Sequence, residues 1–292
     1  MVSKCIMKKL IVKTIGGFIN STAVLFPTWN GSYSFNLLCK VKRISISEKG
    51  RAFLDTAETS FFEIDHHSAA LHQWGTGAKN LLFLHGWMSN SQRWLPYVEG
   101  LDLNEYTVYA LDAPGHGMAK GKFLNLEIFR RALAKSLEQI GGVDTLVCHS
   151  LGSLVGGYCY LHNKDIGINR YVIMGSPSGM DAIFTYFRVT LGLSKKAIHN
   201  LEAKINSVLQ LPHEEVSMDR FFQKVKQPVL LVHDISDVIT PFRPIEQASE
   251  LALGIPQING QKKEIETFFT QGQDHNLKGE ETVEKVIQFI KN

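Results

Sequence analysis

The sequence has few of the features that mark secreted, metal-binding or membrane-spanning proteins. Its 292 residues include four cysteines, none with the C-x-x-C spacing of metal and redox motifs. This usage indicates a reducing compartment rather than a disulfide framework. No apolar run reaches the roughly 18 residues of a spanning helix, because Lys13, Asn20 and Ser21 interrupt the first apolar segment. The pair His66-His67 has no further ligand at helical spacing, so we expect no metal and no cofactor.

Acidic residues are absent from the first 47 positions, which hold seven lysines and arginines. The rest of the chain holds the other 24 of the 31 basic residues and all 28 acidic ones, so the net charge of +3 originates in this extension. The basic residues are confined to an apolar segment that matches no recognised nucleic-acid-binding motif. We therefore expect no nucleic-acid partner.

Apolar residues of the extension recur at roughly helical spacing, at Ile6, Leu10, Ile11, Ile15 and Phe18. Three interpretations of residues 1–59 stay open. They are a helix or helical hairpin packed on the body of the domain, a basic amphipathic segment on an anionic membrane surface, and a cleaved targeting peptide. Gly16-Gly17 argues against a regular helix, and Lys13 interrupts the apolar region that a signal peptide requires.

Short apolar strands alternate with helical segments from residue 60 onward. The predicted strands are 61–64, 68–74, 81–84, 106–111, 144–149, 170–174, 229–232 and 265–269, and the predicted helices are 91–101, 126–140, 241–253 and 280–290. This alternation predicts a mostly parallel sheet flanked by helices on both faces. Chemistry in such sheets lies at the carboxyl ends of the strands. Residues 176–226 separate two strands and are predicted to be a helical insertion.

Ser150 lies between a buried strand and a glycine-rich helix start, within Cys148-His149-Ser150-Leu151-Gly152. A serine on such a sharp turn exposes its hydroxyl beside free N–H groups that can stabilise an oxyanion. The sequence departs from the usual G-x-S-x-G motif at its first glycine, where Cys148 stands. By itself the motif leaves a catalytic and a structural interpretation open. We expect Cys148 to be buried and inert, and His149 to pack in the core.

A nucleophilic serine needs a base, and the base needs an acid that orients it. Asp237 follows the predicted strand 229–232, and His275 follows the predicted strand 265–269. The chain order Ser150, Asp237, His275 is the one that accompanies G-x-S-x-G turns. Asp234 is the alternative acid.

With these residues in this order, the chain resembles the α/β-hydrolase fold superfamily, in its branch of serine enzymes with a short helical cap. The resemblance covers about residues 60–292. It rests on five segments, which are His85-Gly86, Asp112-Ala-Pro-Gly-His-Gly117, the Ser150 turn, Asp237 to Pro241, and His275. It implies an α/β-hydrolase domain over 60–292, with a cap insertion at 176–226 and an N-terminal helical extension over 1–59.

The resemblance also implies a role for each residue. Ser150 would be the nucleophile, His275 would move its proton, and Asp237 would orient the imidazole. Pro241, four residues after Asp237, favours Asp237 over Asp234. The backbone N–H groups of Trp87 and Leu151 would form the oxyanion hole. The candidate residues of a mainly apolar acyl pocket are His85, Gly86, Met88, Phe184 and Phe187, and His85 is also expected to tie loops together.

The predicted function is that of a cytoplasmic serine hydrolase that cleaves a small-molecule carboxylic ester or thioester through an acyl-enzyme. One alternative is a non-catalytic hydrolase-like binding protein that is anchored through its basic extension. Another is a peptidase or C–C hydrolase with the same triad. Peripheral membrane contact through the extension stays open in each case.

Overall fold

The structure, a computed structural model, describes residues 2–254 and 264–292, without the side chains of residues 2–9. The predicted helical position Ile6 and the basic residues Lys4, Lys8 and Lys9 lie outside the described side chains. Two compact units divide the chain. The helical unit consists of Met1–Lys40 and Gly179–Glu215, and the sheet unit consists of Val41–Ser178 and Val216–Asn292.

Within the described residues, eight strands form one sheet in the sheet unit. They are β1 (Glu58–Ile64), β2 (His67–Trp74), β3 (Lys79–Leu84), β4 (Tyr106–Asp112), β5 (Thr145–His149), β6 (Tyr171–Met174), β7 (Val229–Asp234) and β8 (Ile265–Thr270). Their order across the sheet is β1-β2-β4-β3-β5-β6-β7-β8. Among them β2 alone has the opposite direction and pairs antiparallel with β1 and β4, while the other pairs are parallel, so the predicted mostly parallel sheet is confirmed.

The described α-helices are numbered in chain order. They are α1 (Val2–Thr22), α2 (Pro27–Leu38), α3 (Glu48–Leu54), α4 (Leu95–Glu99), α5 (Leu126–Ile140), α6 (Leu151–His162), α7 (Met180–Leu191), α8 (Lys195–Asn206), α9 (Met218–Lys224), α10 (Phe242–Gly254) and α11 (Glu280–Lys291). The predicted helix over 91–101 is a 3-10 turn over Ser91–Trp94 followed by α4, which stops before Gly100. Every residue of β5, β6 and β7 is buried, as expected for parallel strands covered on both faces.

In the helical unit, α1 and α2 form a hairpin that packs on α7 and α8. The Asn20 amide donates to the carbonyl of Gly192 at 2.8 Å and accepts from the N–H of Ser194 at 2.7 Å. The Asn200 amide donates to the carbonyl of Ala23 at 2.9 Å. The extension therefore contains a helical hairpin that packs on helices of the predicted insertion, and the predicted boundaries at 59, 176 and 226 stay predictions. No described helix is long and apolar enough to cross a bilayer.

Gly16-Gly17 does not interrupt α1, contrary to the expectation from helix propensity. A β-carbon on Gly16 would lie 1.7 Å from the carbonyl oxygen of Leu191, so the α1 backbone lies directly against the end of α7. A β-carbon on Gly17 would meet nothing within 4 Å. Close packing at Gly16 therefore offsets the cost of glycine within a helix.

The two neighbouring glycines provide a matched pair of substitutions. Gly16→Ala should lower the free energy of unfolding by about 1–3 kcal/mol, because the methyl group forces α1 away from α7. Gly17→Ala should raise it by about 0.5–1 kcal/mol through helix propensity alone. Urea unfolding followed by circular dichroism measures both changes. Equal effects of the two substitutions would contradict the described packing of α1.

Candidate active site

Ser150 occupies a strained turn between β5 and α6. Its backbone angles are φ 55° and ψ −123°, a conformation that is costly for a residue with a side chain. Two hydrogen bonds hold the turn. The N–H of Ser150 donates to the carbonyl of Met174 at 2.8 Å, and the N–H of Ser153 donates to the carbonyl of Ser150 at 2.9 Å. The predicted sharp turn at the strand end is therefore present, and its serine is only partly buried.

Two glycines let the end of β3 approach this turn. A β-carbon on Gly86 would lie 2.7 Å from the β-carbon of Ser150, and one on Gly152 would lie 2.6 Å from the carbonyl oxygen of His85. Neither distance leaves room for a side chain. The loop that starts at Gly86 therefore runs directly beside the serine.

The departure at Cys148 is accommodated by a glycine elsewhere in the motif. The Cys148 thiol is fully buried, and a β-carbon on Gly156 in α6 would lie 2.9 Å from its sulfur. Gly156 thus supplies the space that the usual glycine at position 148 would leave. Burial raises the pKa of the Cys148 thiol well above its ordinary value, which keeps it protonated and unreactive.

The structure brings the three predicted catalytic side chains together. His275 Nε2 lies 2.8 Å from Ser150 Oγ, and His275 Nδ1 lies 2.8 Å from Asp237 Oδ2. Asp237 follows β7 and His275 follows β8, so both come from the carboxyl ends of neighbouring strands. A nucleophile bonded to a base, and a base bonded to an acid, is the arrangement that activates a serine.

Asp237 is held as a carboxylate. Burial raises its pKa, but hydrogen bonds from His275 and Thr240 outweigh burial and hold the pKa below its ordinary value. Thr240, which sequence reasoning missed, donates from Oγ1 to Asp237 Oδ2 at 2.6 Å and from its N–H to Asp237 Oδ1 at 2.9 Å. Its position between Asp237 and Pro241, in the segment that indicated the acid, was the sequence feature that could have identified it. An ionised Asp237 can fix the His275 tautomer and stabilise the imidazolium.

Asp234, the alternative acid, ties two loops together and does not contact His275. It accepts hydrogen bonds from Thr270 Oγ1 at 2.8 Å, from the N–H of Gln273 at 2.8 Å and from the N–H of Ser236 at 2.9 Å. Burial raises its pKa, but these donors lower it to about 2. Asp234 therefore joins the loop of Asp237 to the loop of His275.

The loop after β3 carries Trp87, one predicted oxyanion donor. Its next residue, Met88, has φ 51°, and the N–H of Met88 donates to His116 Nε2 at 3.2 Å. Burial lowers the pKa of His116 to about 3, so the ring stays neutral and can accept this bond. Leu151, the other predicted donor, is the first residue of α6, where backbone N–H groups lack helical partners. The turn that contains His116 therefore shapes the backbone beside Ser150.

His85 lies behind this loop rather than on a pocket wall. It is fully buried, donates from Nδ1 to the carbonyl of Gly86 at 2.7 Å and accepts at Nε2 from the N–H of Ala113 at 3.1 Å. Both ring nitrogens are engaged, so the prediction that His85 lines the pocket is corrected, whereas its predicted role in tying loops together agrees with the contacts. Met88 is 40% exposed. Phe184 and Phe187 lie on α7 in the helical unit, and their role in binding stays a prediction.

His149 does more than pack in the core. Its Nε2 donates to the carbonyl of His275 at 2.8 Å, and its Nδ1 accepts from Arg93 Nη1 at 2.7 Å. Arg93 also donates to the carbonyl of Asn276 at 3.1 Å. Burial and the Arg93 charge hold the pKa of His149 well below its ordinary value. A neutral His149 and a charged Arg93 therefore hold the backbone around His275 by hydrogen bonds to its carbonyl groups. Nothing in the sequence around Arg93 indicates this role.

Exchanging a thiol for a glycine tests the packing at the turn. Cys148→Gly should change activity little, because Gly156 already leaves space there. Gly156→Ala should cost about 1–3 kcal/mol of stability, because its methyl group meets the Cys148 sulfur. The double variant Cys148→Gly/Gly156→Ala should recover most of that loss. Thermal unfolding of the four proteins gives the coupling energy. Additive effects would contradict the contact.

Stability should fall as the pH is lowered from 7.5 to 5.5. Burial lowers the pKa of the buried histidines His85, His116, His149 and His233. Below their ordinary pKa of 6.5 these histidines bind protons in the unfolded chain but not in the folded one, so acid favours unfolding. Each contributes up to about 1.4 kcal/mol per pH unit. Urea unfolding at several pH values measures the slope, and a flat or opposite slope would contradict neutral buried rings.

Comparisons with known proteins identify the family and the fold of the chain. The sequence profile described as "Alpha/beta hydrolase family" matches residues 81–248. An esterase of Pyrococcus furiosus is 16% identical with a TM-score of 0.62, and the match covers 86% of this chain and 96% of that one. The thioesterase domain from the curacin biosynthetic pathway is 15% identical with a TM-score of 0.57, over 81% and 99% of the two chains. At these identities the two structures show the fold alone.

One curated sequence relative matches a shorter region. The dihydrolipoyllysine-residue acetyltransferase component of the acetoin cleaving system of Cupriavidus necator is 30% identical over 99 residues, which is 33% of this chain. The match spans 26% of that protein's length. The profile match covers more than half of the chain and includes most of β3, the Ser150 turn and Asp237. The chain therefore belongs to the alpha/beta hydrolase family.

Proposed function

We propose that the protein is a serine hydrolase that cleaves a carboxylic ester or thioester through a covalent acyl-enzyme. The observation that carries this proposal is the unbroken pair of 2.8 Å contacts from Ser150 Oγ through His275 to Asp237. Membership of the alpha/beta hydrolase family supports hydrolase chemistry. The esterase and thioesterase among the similar structures are named for the two bond types proposed here.

In the proposed reaction, Ser150 Oγ attacks the carbonyl carbon of the substrate while His275 Nε2 takes the hydroxyl proton. The N–H groups of Leu151 and Trp87 stabilise the negative oxygen of the tetrahedral intermediate, each contributing about 2.7–4 kcal/mol. His275 then returns its proton to the departing alcohol or thiol. Water attacks the acyl-enzyme with the same proton transfers, which releases the carboxylic acid and restores Ser150.

The two alternatives carry less support. A non-catalytic binding protein would not need the strained Ser150 turn, because a φ of 55° at a residue with a side chain destabilises the fold. A peptidase or C–C hydrolase would use the same triad, but no described feature favours an amide or a carbon leaving group. Cys39, Cys148 and Cys159 are buried free thiols, which supports a reducing, cytoplasmic setting.

Ser150→Ala should abolish hydrolysis, with a loss of up to about 10⁶ in kcat. The assay uses p-nitrophenyl esters of increasing acyl length beside acyl-CoA and amide substrates, together with a fluorophosphonate probe. Ser207→Ala is the matched control, because Ser207 is exposed and lies outside the site. Labelling of Ser150→Ala as strong as that of the unsubstituted protein would refute the proposal. An unlabelled and inactive unsubstituted protein would favour the binding protein.

The same assay distinguishes the two acids. Asp237→Asn should lower kcat by about 10⁴, because an amide favours the wrong His275 tautomer. Asp234→Asn should instead lower stability by about 1–3 kcal/mol, because the buried Thr270 hydroxyl and the part-buried N–H groups of Ser236 and Gln273 lose a carboxylate partner. The reverse pattern would assign the acid to Asp234.

A further inference from the structure

The hairpin of α1 and α2 contains a long segment without charge. From Thr14 to Cys39, 26 consecutive residues include no aspartate, glutamate, lysine, arginine or histidine. Charged residues make up 20% of the whole chain, so roughly five would be expected in a solvated segment of this length. Lys13 and Lys40 flank the segment on its two sides.

The uncharged hairpin is exposed at its tip. Val24, Leu25 and Phe26, between α1 and α2, are 71%, 73% and 59% exposed. Residues that hold the hairpin to α7 and α8 lie on its other face, where Ile19 and Asn30 are fully buried. The tip residues therefore have no packing role within the described helical unit, and three consecutive exposed apolar side chains are unfavourable in water.

Further aromatic rings lie close to the apolar tip. Trp29 stacks on Tyr33 with ring centroids 5.1 Å apart, and Phe18 meets the edge of Trp29 at 5.9 Å. Trp29 and Phe18 are about half exposed. Tryptophan and tyrosine rings favour the boundary between lipid headgroups and acyl chains. Apolar residues at the tip, with tryptophan and tyrosine about one turn behind them, are typical of a segment that enters a bilayer surface.

Positive charge lies beside the base of the tip. Ser194 binds Asn20 and Asn200 binds Ala23, so the start of α8 lies against the last turn of α1. Lys195 and Lys196 follow Ser194 directly, and both are exposed. Within residues 1–40 and 179–215 there are nine lysines and arginines against four acidic residues. Glu202 on α8 is the acidic residue nearest to them along that helix, and it lies 4.0 Å from His199.

We propose that the α1–α2 hairpin docks on an anionic lipid bilayer. Residues 24–26 enter the acyl region, Trp29 and Tyr33 lie at the interface, and Lys195 and Lys196 meet the lipid phosphates. Apolar insertion together with lysine–phosphate attraction is the combination that holds peripheral segments on membranes. A second copy of this chain would place the same cations opposite one another, which is unfavourable, so lipid is the better match. The proposal does not depend on the proposed catalytic activity.

Co-sedimentation of the full chain with vesicles tests the proposal. The unsubstituted protein should bind phosphatidylcholine vesicles that contain phosphatidylglycerol more strongly than vesicles of phosphatidylcholine alone. Val24→Ser/Leu25→Ser/Phe26→Ser should lower the partition coefficient by about tenfold or more. The control Phe61→Ser/Leu251→Ser removes apolar side chains of similar exposure, 56% and 62%, from the sheet unit and should change nothing.

Charge reversal tests the proposed attraction between the two lysines and the lipid phosphates. Lys195→Glu/Lys196→Glu should weaken binding to the anionic vesicles by about 25-fold or more, since each lysine near such a surface contributes about fivefold and each glutamate adds repulsion. Binding to phosphatidylcholine alone should not change. The control Lys164→Glu/Lys226→Glu alters the net charge equally at exposed positions of the sheet unit and should retain binding.

Tryptophan fluorescence reports whether the tip itself enters the lipid. Brominated lipids should quench the emission of the unsubstituted protein, and Trp29→Phe should remove that quenching without removing binding. Absent binding, or equal binding by the tip variant, would overturn the proposal. So would a dimer in lipid-free light scattering that the tip substitutions convert to a monomer, because a second copy would then be the occupant.

Discussion

The close approach of β3 to the turn at Ser150 is the contact on which the candidate site depends. Gly86 and Gly152 bring two backbones together with no space for a side chain between them. The loop that starts at Gly86 therefore lies beside the serine, where we propose that the N–H groups of Trp87 and Leu151 act as oxyanion donors. The same close approach explains how Ser150 keeps its positive φ, because the surrounding backbone restricts the conformation of the turn.

His275 is held from two directions by groups with opposite electrostatic requirements. At the His275 ring, the ionised Asp237 accepts a hydrogen bond from Nδ1, and the Thr240 hydroxyl donates a second hydrogen bond to the same carboxylate. At its backbone, His149 must be neutral to accept from Arg93 and donate to the His275 carbonyl, and burial beside a guanidinium keeps it so. A carboxylate and a neutral imidazole thus coexist within one site because their local donors and acceptors differ.

The helical unit follows a different physical constraint. Its hairpin packs glycines and asparagines against α7 and α8, and leaves the apolar side chains of Val24, Leu25 and Phe26 exposed. Helix propensity argued against α1 at Gly16-Gly17, but backbone packing at Gly16 outweighed it. Packing on helices from residues 180–206 also involves partners about 170 positions away, which local patterns cannot identify.

The sequence by itself predicted the order of strands and helices and the position of the serine turn, because these depend on local periodicity and chain order. The assignment of Asp237 as the acid and His275 as the base came from the resemblance to a known family and stays a prediction. The sequence left the effect of Cys148 open, missed Arg93 and Thr240, and placed His149 only in the core. Tertiary structure decided these points, since each depends on a contact between side chains or backbone that the sequence pattern does not specify. Gly156 leaves space for the Cys148 thiol of β5, and Arg93 donates to the carbonyl of Asn276, 183 positions away. Local composition does not predict such contacts, because they form only when the chain folds.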